Sequence, residues 1–269
     1  MIIQETINHL KSNYTAYIED LRIADVRIGI FMTAVKLTDG FVGISGTIPS
    51  SSSDIHCKKE NRDYGAFTPN QITGQKVADL LQTLKQNSLI NSLKVAALNA
   101  VSSKLLEQTD YTILRKTDPI DLIDLNTRKT ITIVGAFQSY IRKISLTNNR
   151  LFVLEFDKNS LEEKDKKYYI PAADFCKILP ESDIVIITGQ TLVNNTLDDL
   201  LKSVNPQATI IVTGPSSSFL PEVLFKHNVK IIGATKTTNP ELMFKLAGEG
   251  GTGYHMFKYC AEKICIVNE

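Results

Sequence analysis

Apolar residues in the second half of the chain form short runs that alternate with segments of helical spacing. The runs are rich in isoleucine and valine, and they lie at residues 131–134, 151–154, 184–187, 210–212, 230–232 and 265–267. Near-continuous apolar strands separated by helices are typical of a parallel sheet that is covered on both faces. The pattern therefore predicts an α/β domain with a mainly parallel sheet.

The first half of the chain begins with a different pattern. Residues 7–18 show helical spacing, and strand-like runs follow at 26–37 and 41–44. Asp39 and Gly40 lie between these runs and predict a tight hairpin, because glycine accepts the positive φ that such a turn requires. The beginning of the chain is therefore expected to form a helix and a small antiparallel sheet.

Two further segments with helical spacing, residues 74–85 and 92–107, complete the first half. We therefore expect a small α+β domain over residues 1–126, followed by the α/β domain. A polar, serine-rich segment at 49–68 separates the strands from these helices. A connection of that length in a compact domain is either a functional loop or a mobile one.

Composition and charge favour a cytoplasmic protein and argue against several classes of partner. The formal net charge is +1, with 43% hydrophobic and 22% charged residues, so nothing favours nucleic acid or an anionic membrane as partner. Apolar runs are too short to span a bilayer, and the N-terminus lacks the pattern of a signal peptide. The cysteines, at positions 57, 176, 260 and 265, suggest neither a disulfide framework nor a paired C-x-x-C metal site. The sequence leaves open whether the protein forms a homo-oligomer.

A polar stretch, T-G-Q-T-L-V-N-N-T at residues 188–196, directly follows one of the apolar runs. In open α/β sheets ligands bind where a strand passes into a helix, because helix amides and loop hydroxyls converge there. Thr196 and Asp199 resemble a helix capping box, which explains Thr196 without a ligand. The other polar residues are expected to contact a small polar molecule: Thr188, Thr191, Asn194 and Asn195. A purely structural loop is the alternative.

Three other strand ends in the second half of the chain carry candidate binding residues. Gly135 and Phe137 follow the first predicted strand, and Glu155 ends the second, where an acidic residue often holds a ribose hydroxyl. These residues are equally consistent with a close helix–strand contact and an exposed glutamate. Gly214 and Ser216 follow the fourth predicted strand, where their amides and hydroxyls suit an anion or a carboxylate. Ordinary turn chemistry explains them nearly as well.

The spacing of residues gives no sign of a catalytic or metal-binding motif. The turn at Gly135 lacks the full G-x-G-x-x-G fingerprint, and no Walker loop, nucleophile elbow or catalytic triad is legible. His56 and Cys57 point apart in an extended chain and have no further ligand at chelating spacing. His255, a lone histidine in a predicted helix, favours a structural role.

The stretch at 188–196, together with Gly214-Pro215-Ser216, resembles the signature of a bacterial and archaeal family of unknown function labelled as a heavy-metal chelation domain. The hairpin at Asp39-Gly40 and the A-A-L-N-A helix at 96–100 are similar to its companion domain. The resemblance implies an enolase N-terminal-like domain over residues 1–126, a Rossmann-like domain over 127–269, and a binding site in the cleft between them. It implies these residues around the cleft: Asn99, Gly135, Phe137, Glu155, Thr188, Thr191, Asn194, Asn195, Gly214 and Ser216.

Competing hypotheses follow, and whether the protein is an enzyme is left open. In the first, the cleft handles a small organic chelator or its metal complex, since the sequence has no dense Cys/His cluster for a bare soft metal. The cofactor would then be a metal ion or a metal–chelate. In the second, a nucleotide-like cofactor in the Rossmann-like domain acts on a small polar substrate. The third is a regulatory or interaction protein whose cleft is vestigial.

Overall fold

The structure is a computed structural model that describes residues 1–48, 64–85 and 87–268. Its helices are α1 (Ile2–Glu19), α2 (Val77–Gln82), α3 (Ser88–Leu105), α4 (Gln138–Ser145), α5 (Phe175–Ile178), α6 (Gln190–Val193), α7 (Leu197–Ser203), α8 (Glu222–Lys226), α9 (Pro240–Gly248) and α10 (Gly253–Tyr259). Its strands are β1 (Ile23–Ile28), β2 (Met32–Leu37), β3 (Val42–Gly46), β4 (Thr112–Arg115), β5 (Thr130–Val134), β6 (Arg150–Glu155), β7 (Tyr169–Pro171), β8 (Ile184–Thr188), β9 (Thr209–Thr213), β10 (Val229–Thr237) and β11 (Ala261–Val267). Most of the polar segment at 49–68, including His56 and Cys57, lies outside the described residues.

Strands β1, β2 and β3 form a small antiparallel sheet that packs against α3. The hairpin predicted at Asp39-Gly40 is confirmed: Gly40 has φ +90° and donates its N–H to the carbonyl of Leu37 over 2.9 Å. Gly43 in β3 lets the sheet approach the helix, because a Cβ there would lie 2.2 Å from the backbone of α3. The small sheet and α3 therefore pack closely against each other as two layers.

The larger sheet has the strand order β4-β11-β10-β9-β8-β5-β6-β7 in the described part of the chain. Neighbouring strands from β10 to β7 run parallel, whereas β11 is antiparallel to both β10 and β4. The predicted α/β class with a mainly parallel sheet is confirmed. If the parallel strands β5 to β10 are numbered 1 to 6 by their order in the chain, they lie across the sheet in the order 3-2-1-4-5-6. This is the Rossmann order, and the strand order reverses between β5 and β8.

Strand β4 was not expected in the larger sheet, because it precedes the predicted boundary at residue 126. Its residues Thr112 to Arg115 are half-buried or exposed and carry no continuous apolar run. They pair with β11 far along the chain, with Leu114 opposite Cys265. Division of the chain at residue 126 stays a prediction.

The two sheets share one hydrophobic core. A single cluster of buried side chains extends from α1 and α3 to strands β8, β9 and β10. Buried hydrogen bonds cross the same contact: the Gly46 N–H donates to Ser216 Oγ over 2.9 Å, and the Leu220 N–H donates to Ser102 Oγ over 3.0 Å. None of the described helices is both long enough and apolar enough to cross a membrane.

Candidate functional site

The polar junctions predicted from the sequence meet at the carboxyl ends of β5 and β8. Gly135 follows β5 with φ +103°, and a Cβ at this position would lie 3.0 Å from Thr188 Cγ2 at the end of β8. Because β5 and β8 are the strands between which the sheet order reverses, their loops diverge and leave a crevice. This is the position at which open α/β sheets bind their ligands.

A pocket of about 530 Å³ opens at this crevice, and we call it the switch-point pocket. It brings together half of the predicted site residues: Gly135, Glu155, Thr188, Thr191 and Asn194. Its other walls were not predicted and include the aromatic rings of Phe156 and Phe175. All of its lining residues come from positions 134–200, so this pocket lies within the Rossmann-like part of the chain.

The polar loop after β8 uses much of its hydrogen-bonding capacity internally. Thr191 Oγ1 donates to the carbonyl of Thr188 over 2.6 Å. Asn194 Oδ1 accepts both the N–H of Thr196 (3.2 Å) and its hydroxyl (2.6 Å). The sequence interpretation of Thr196 as a side-chain cap of α7 is therefore wrong, because its hydroxyl is turned to Asn194 and makes no cap bond.

Asn195 lies outside the switch-point pocket, unlike the adjacent Asn194. Its side chain is exposed and does not line the switch-point pocket, and its backbone has φ +60°. Asparagine adopts this left-handed conformation more readily than most residues. The adjacent asparagines therefore do different things: Asn194 faces the pocket and closes the loop, whereas Asn195 turns the chain.

The charge of the switch-point pocket comes from carboxylates. Glu155 ends β6, and its Oε1 accepts the N–H of Phe156 over 2.7 Å. Asp199 lines the same pocket, and none of the lining residues that the structure describes is basic. Glu155 stands about 20 residues after Gly135, the spacing at which the ribose-binding acid of Rossmann folds occurs.

Phe137 and Gly214 line a different pocket, of about 540 Å³, which we call the aromatic pocket. Phe137 stacks on Tyr140 with ring centroids 5.2 Å apart. Gly214 directly follows strand β9 and has φ +127°, and its N–H donates to the carbonyl of Gly233 over 3.0 Å. Spacing along the chain gives no signal for the polar residues of this pocket, because Asp118, Tyr140 and Lys263 come from distant segments.

Ser216 faces the small sheet across a cleft of about 160 Å³, which we call the small cleft. This cleft lies between Phe31, Met32 and Gly46 on one side and the loops after β8 and β9 on the other. Ser216 is 2% exposed and accepts the Gly46 N–H, so its hydroxyl joins the two sheets. Gln190, whose amide lies against Gly46, was not predicted.

Asn99 lies apart from both larger pockets, in the middle of the buried helix α3. Its Nδ2 donates to the carbonyls of Ile44 (2.6 Å) and Pro215 (3.1 Å), so it links β3 to the loop after β9. Its Oδ1 has no hydrogen-bond partner among the described residues, and Asn99 is one of the residues that line a cavity of about 190 Å³. The sequence-predicted site is thus distributed over several neighbouring depressions.

The described residues do not offer a preformed metal site. Across residues 1–48, 64–85 and 87–268, no group of three or more His, Cys, Asp and Glu side chains could hold a metal ion. Burial raises the pKa of the Cys260 thiol and raises that of Cys265 to about 12, so neither is a ready thiolate ligand. His255 caps α10, where its Nδ1 accepts the N–H of Thr252 over 3.1 Å.

Two sequence-family models match most of the chain. The model of the DUF364 family, described as "Putative heavy-metal chelation", matches residues 118–266. The model of the DUF4213 family, with the same description, matches residues 12–102. An uncharacterized protein of Methanocaldococcus jannaschii is 38% identical over 60 residues, which are 22% of this chain and 23% of that protein's length.

Two solved structures are similar to this chain over its whole length. A DUF364 protein of unknown function from Pyrococcus horikoshii has a TM-score of 0.79 and 23% identity, covering 100% of both chains. A DUF364 protein of unknown function from Desulfitobacterium hafniense has a TM-score of 0.75 and 19% identity, covering 99% of this chain and 98% of its own. At these identities the likeness concerns the fold.

Proposed function

The chain belongs to the DUF364 family, as the sequence resemblance predicted, and on that premise we propose that it binds a small organic ligand in the switch-point pocket. The ligand is a nucleoside-type molecule that is neutral or positively charged. The observation that carries this proposal is the lining of the pocket: a Rossmann turn at Gly135, a carboxylate at Glu155 and aromatic rings, without a basic side chain among the described residues.

The geometry around Glu155 suits a sugar with neighbouring hydroxyl groups. One carboxylate oxygen accepts the Phe156 N–H, which holds the side chain at the end of β6. A carboxylate has further lone pairs and accepts hydroxyl hydrogen bonds more strongly than a neutral oxygen does. Phe156 is 75% exposed and lines the pocket together with Phe175, so a flat base can stack on an aromatic ring there.

The charges around the pocket argue against a phosphate-bearing ligand. Glu155 repels a phosphate, whereas the charge of Asp199 is balanced by Lys202. Phe137 occupies the turn where a Rossmann fingerprint has a glycine for close approach to pyrophosphate. A nucleoside with no charge, or with a cationic group, avoids this repulsion. Adenosine and S-adenosylmethionine, which carries a sulfonium cation, are therefore better candidates than ATP or NAD.

Thermal shift and calorimetric titration of the full chain test this order. We expect adenosine and S-adenosylmethionine to raise the Tm, and ATP and NAD to raise it less at equal concentration. Glu155→Gln should weaken adenosine binding about tenfold, since it removes a charged acceptor. The glutamine oxygen can still accept the Phe156 N–H, so the fold should be retained.

Glu241→Gln is the matched control, because Glu241 is an exposed glutamate on α9 that is paired with Lys36. Its affinity for adenosine should equal that of the unchanged chain. Binding of ATP at least as tight as that of adenosine would contradict the proposed charge rule. The absence of heat and of a Tm shift with all four compounds would end the nucleoside proposal.

The family description favours a second candidate, the handling of a heavy metal that an organic chelator already holds. Because the described residues offer no group of metal-binding side chains, the chelator would supply the donor atoms and the protein would recognise the complex. The small cleft, between Gly46, Gln190 and Ser216, is its proposed site. Equilibrium dialysis of divalent metals, alone and with citrate or a catechol, tests this candidate. Retention of neither the chelators nor the metal under any of these conditions would refute it.

The remaining expectations belong to the same proposal. The partner is a small molecule rather than nucleic acid or membrane, consistent with the net charge of +1. A cytoplasmic location fits the three described cysteines, which are free. Size-exclusion chromatography with light scattering would show whether the chain forms a homo-oligomer.

A further inference from the structure

We propose that the aromatic pocket is a second binding site, which takes a planar aromatic carboxylate. Its volume of about 540 Å³ is in the range of sites for small organic molecules. Among the described residues it shares no lining residue with the switch-point pocket. A test of this second site is therefore independent of a test of the nucleoside proposal.

Aromatic rings form the walls of this pocket. Phe137 is stacked nearly parallel on Tyr140, with an interplanar angle of 19°, and its ring helps to line the cavity. Tyr254 and Phe257 project from α10 on the other side, and Tyr254 is 69% exposed. Because aromatic rings gain from stacked and edge contacts, such walls favour a flat ligand over a branched one.

A fixed polar cluster forms the floor. Asp118 accepts the hydroxyl hydrogen of Tyr140 on Oδ1 and the ammonium group of Lys263 on Oδ2. Tyr140 is 5% exposed, and burial together with the neighbouring Asp118 raises its pKa, so it remains a neutral donor. Both carboxylate oxygens are thus engaged, and the charge of Asp118 is balanced by Lys263.

Lys258 adds a positive charge that no carboxylate among the lining residues balances. Its Nζ lies 5.8 Å from the ring centroid of Tyr254 and 5.1 Å from that of Tyr259. The lining residues that are described contain Lys258 and Lys263 against Asp118 alone, which leaves one positive charge. Each ammonium has three donors, so Lys263 can serve a ligand while it holds Asp118.

An excess of one positive charge selects the charge of the ligand. A carboxylate carries a single negative charge, whereas a phosphate monoester carries about −1.5 to −2 at neutral pH. The carboxylate can bind Lys258 and Lys263 while its ring lies between Phe137 and Tyr254. A neutral aromatic molecule would leave the ammonium groups without this partner.

Fluorescence anisotropy with 2-naphthoate as the probe tests the proposal on the full chain. The chain has no tryptophan, so the probe can be excited without a protein background from that residue. We expect saturable binding of 2-naphthoate, with 2-naphthamide and cyclohexanecarboxylate competing at least about tenfold more weakly. Adenosine should not displace the probe, because its proposed site is separate.

Variants then locate the site. Lys258→Gln should weaken 2-naphthoate binding about tenfold, and Tyr254→Ala about fivefold. Lys245→Gln, which changes an exposed lysine of the neighbouring α9, serves as the control and should leave the affinity within about twofold.

Each substituted residue is exposed, so the variants should fold and can be compared at equal concentration. Failure of 2-naphthoate to bind would overturn the proposal. Equal affinity for naphthoate and naphthamide would show that the lysines do not select charge, and would overturn it as well. Unchanged affinity in both Lys258→Gln and Tyr254→Ala would place the probe elsewhere, with the same consequence.

Discussion

At the scale of single residues, the polar loop after β8 combines a structural role with a place in the pocket. The sequence predicted where its polar residues lie, because a strand followed by hydroxyl and amide side chains marks the edge of a parallel sheet. It did not predict that Asn194 accepts two hydrogen bonds from Thr196. That outcome depends on a rotamer and on the break between α6 and α7, neither of which the residue types specify.

This arrangement predicts different results for related substitutions at Asn194. Asn194→Ala removes the acceptor of both bonds and should lower the free energy of unfolding by about 1–2 kcal/mol. Asn194→Asp keeps an acceptor oxygen and should retain most of the stability. Denaturant titration followed by circular dichroism measures both variants. If Asn194→Ala were as stable as the unchanged chain, the loop would not depend on these bonds.

Asn195 gives the contrasting test at the neighbouring position. The backbone φ of +60° accounts for an asparagine at this position. Glycine adopts the same conformation readily, so Asn195→Gly should change the free energy of unfolding by less than about 0.5 kcal/mol. Asn195→Ala should cost about 1 kcal/mol, because alanine adopts the left-handed region poorly. The same titrations apply. Equal stability of the glycine and alanine variants would argue against a conformational role.

At the scale of elements, the pattern of apolar runs predicted the strands well where both faces are buried. The runs at 131–134, 184–187 and 210–212 are strands of the parallel sheet, because continuous burial leaves an unambiguous signal. Strand β4 gave no such signal, since its residues are half-buried or exposed and its pairing with β11 is formed across much of the chain. Edge strands are held by tertiary context rather than by local pattern.

The contact between β3 and α3 depends on one glycine. An alanine Cβ at position 43 would lie 2.2 Å from both the Ala100 nitrogen and the Ala96 oxygen, and backbone atoms in a helix cannot move aside easily. Gly43→Ala should therefore lower the free energy of unfolding by about 3 kcal/mol. Thermal and denaturant unfolding would both register this loss.

Gly248→Ala is the matched control within a helix, because the nearest side-chain atom to its Cβ position is 3.9 Å away. Alanine also has the higher helix propensity, so this variant should be neutral or slightly more stable. A small effect of Gly43→Ala, similar to that of Gly248→Ala, would mean that the small sheet and α3 can separate without cost. That result would contradict the close packing of these layers.

At the scale of the whole molecule, the distribution of the site could not be predicted from the sequence. Local patterns specify strands, but the order of strands in the sheet decides which loops become neighbours. Gly135 and Thr188 meet because β5 lies beside β8, whereas Asn99 is directed to a separate cavity by its bonds to Ile44 and Pro215. The cluster of Asp118, Tyr140 and Lys263 likewise exists only once the sheet is assembled.

The shared core predicts that the Rossmann-like part does not fold normally alone. A fragment of residues 112–269 keeps the whole larger sheet, including β4, but loses α3 and the small sheet. Phe219 and Leu220, which are 0% and 1% exposed and belong to the core cluster that includes α3, would lose apolar neighbours. Buried bonds such as that from the Leu220 N–H to Ser102 Oγ would also be lost.

We therefore expect the fragment of residues 112–269 to retain secondary structure without fixed packing. It should show far-UV circular dichroism, bind a hydrophobic dye and lack a sharp thermal transition, whereas the full chain should unfold in one cooperative step. Addition of separately purified residues 1–111 should reduce the dye binding, because α3 would cover the exposed apolar face. A sharp transition in the isolated fragment, without dye binding, would instead show that residues 112–269 form an autonomous domain. The first half of the chain would then not be needed for this domain to fold, and its role would be to form one side of the small cleft.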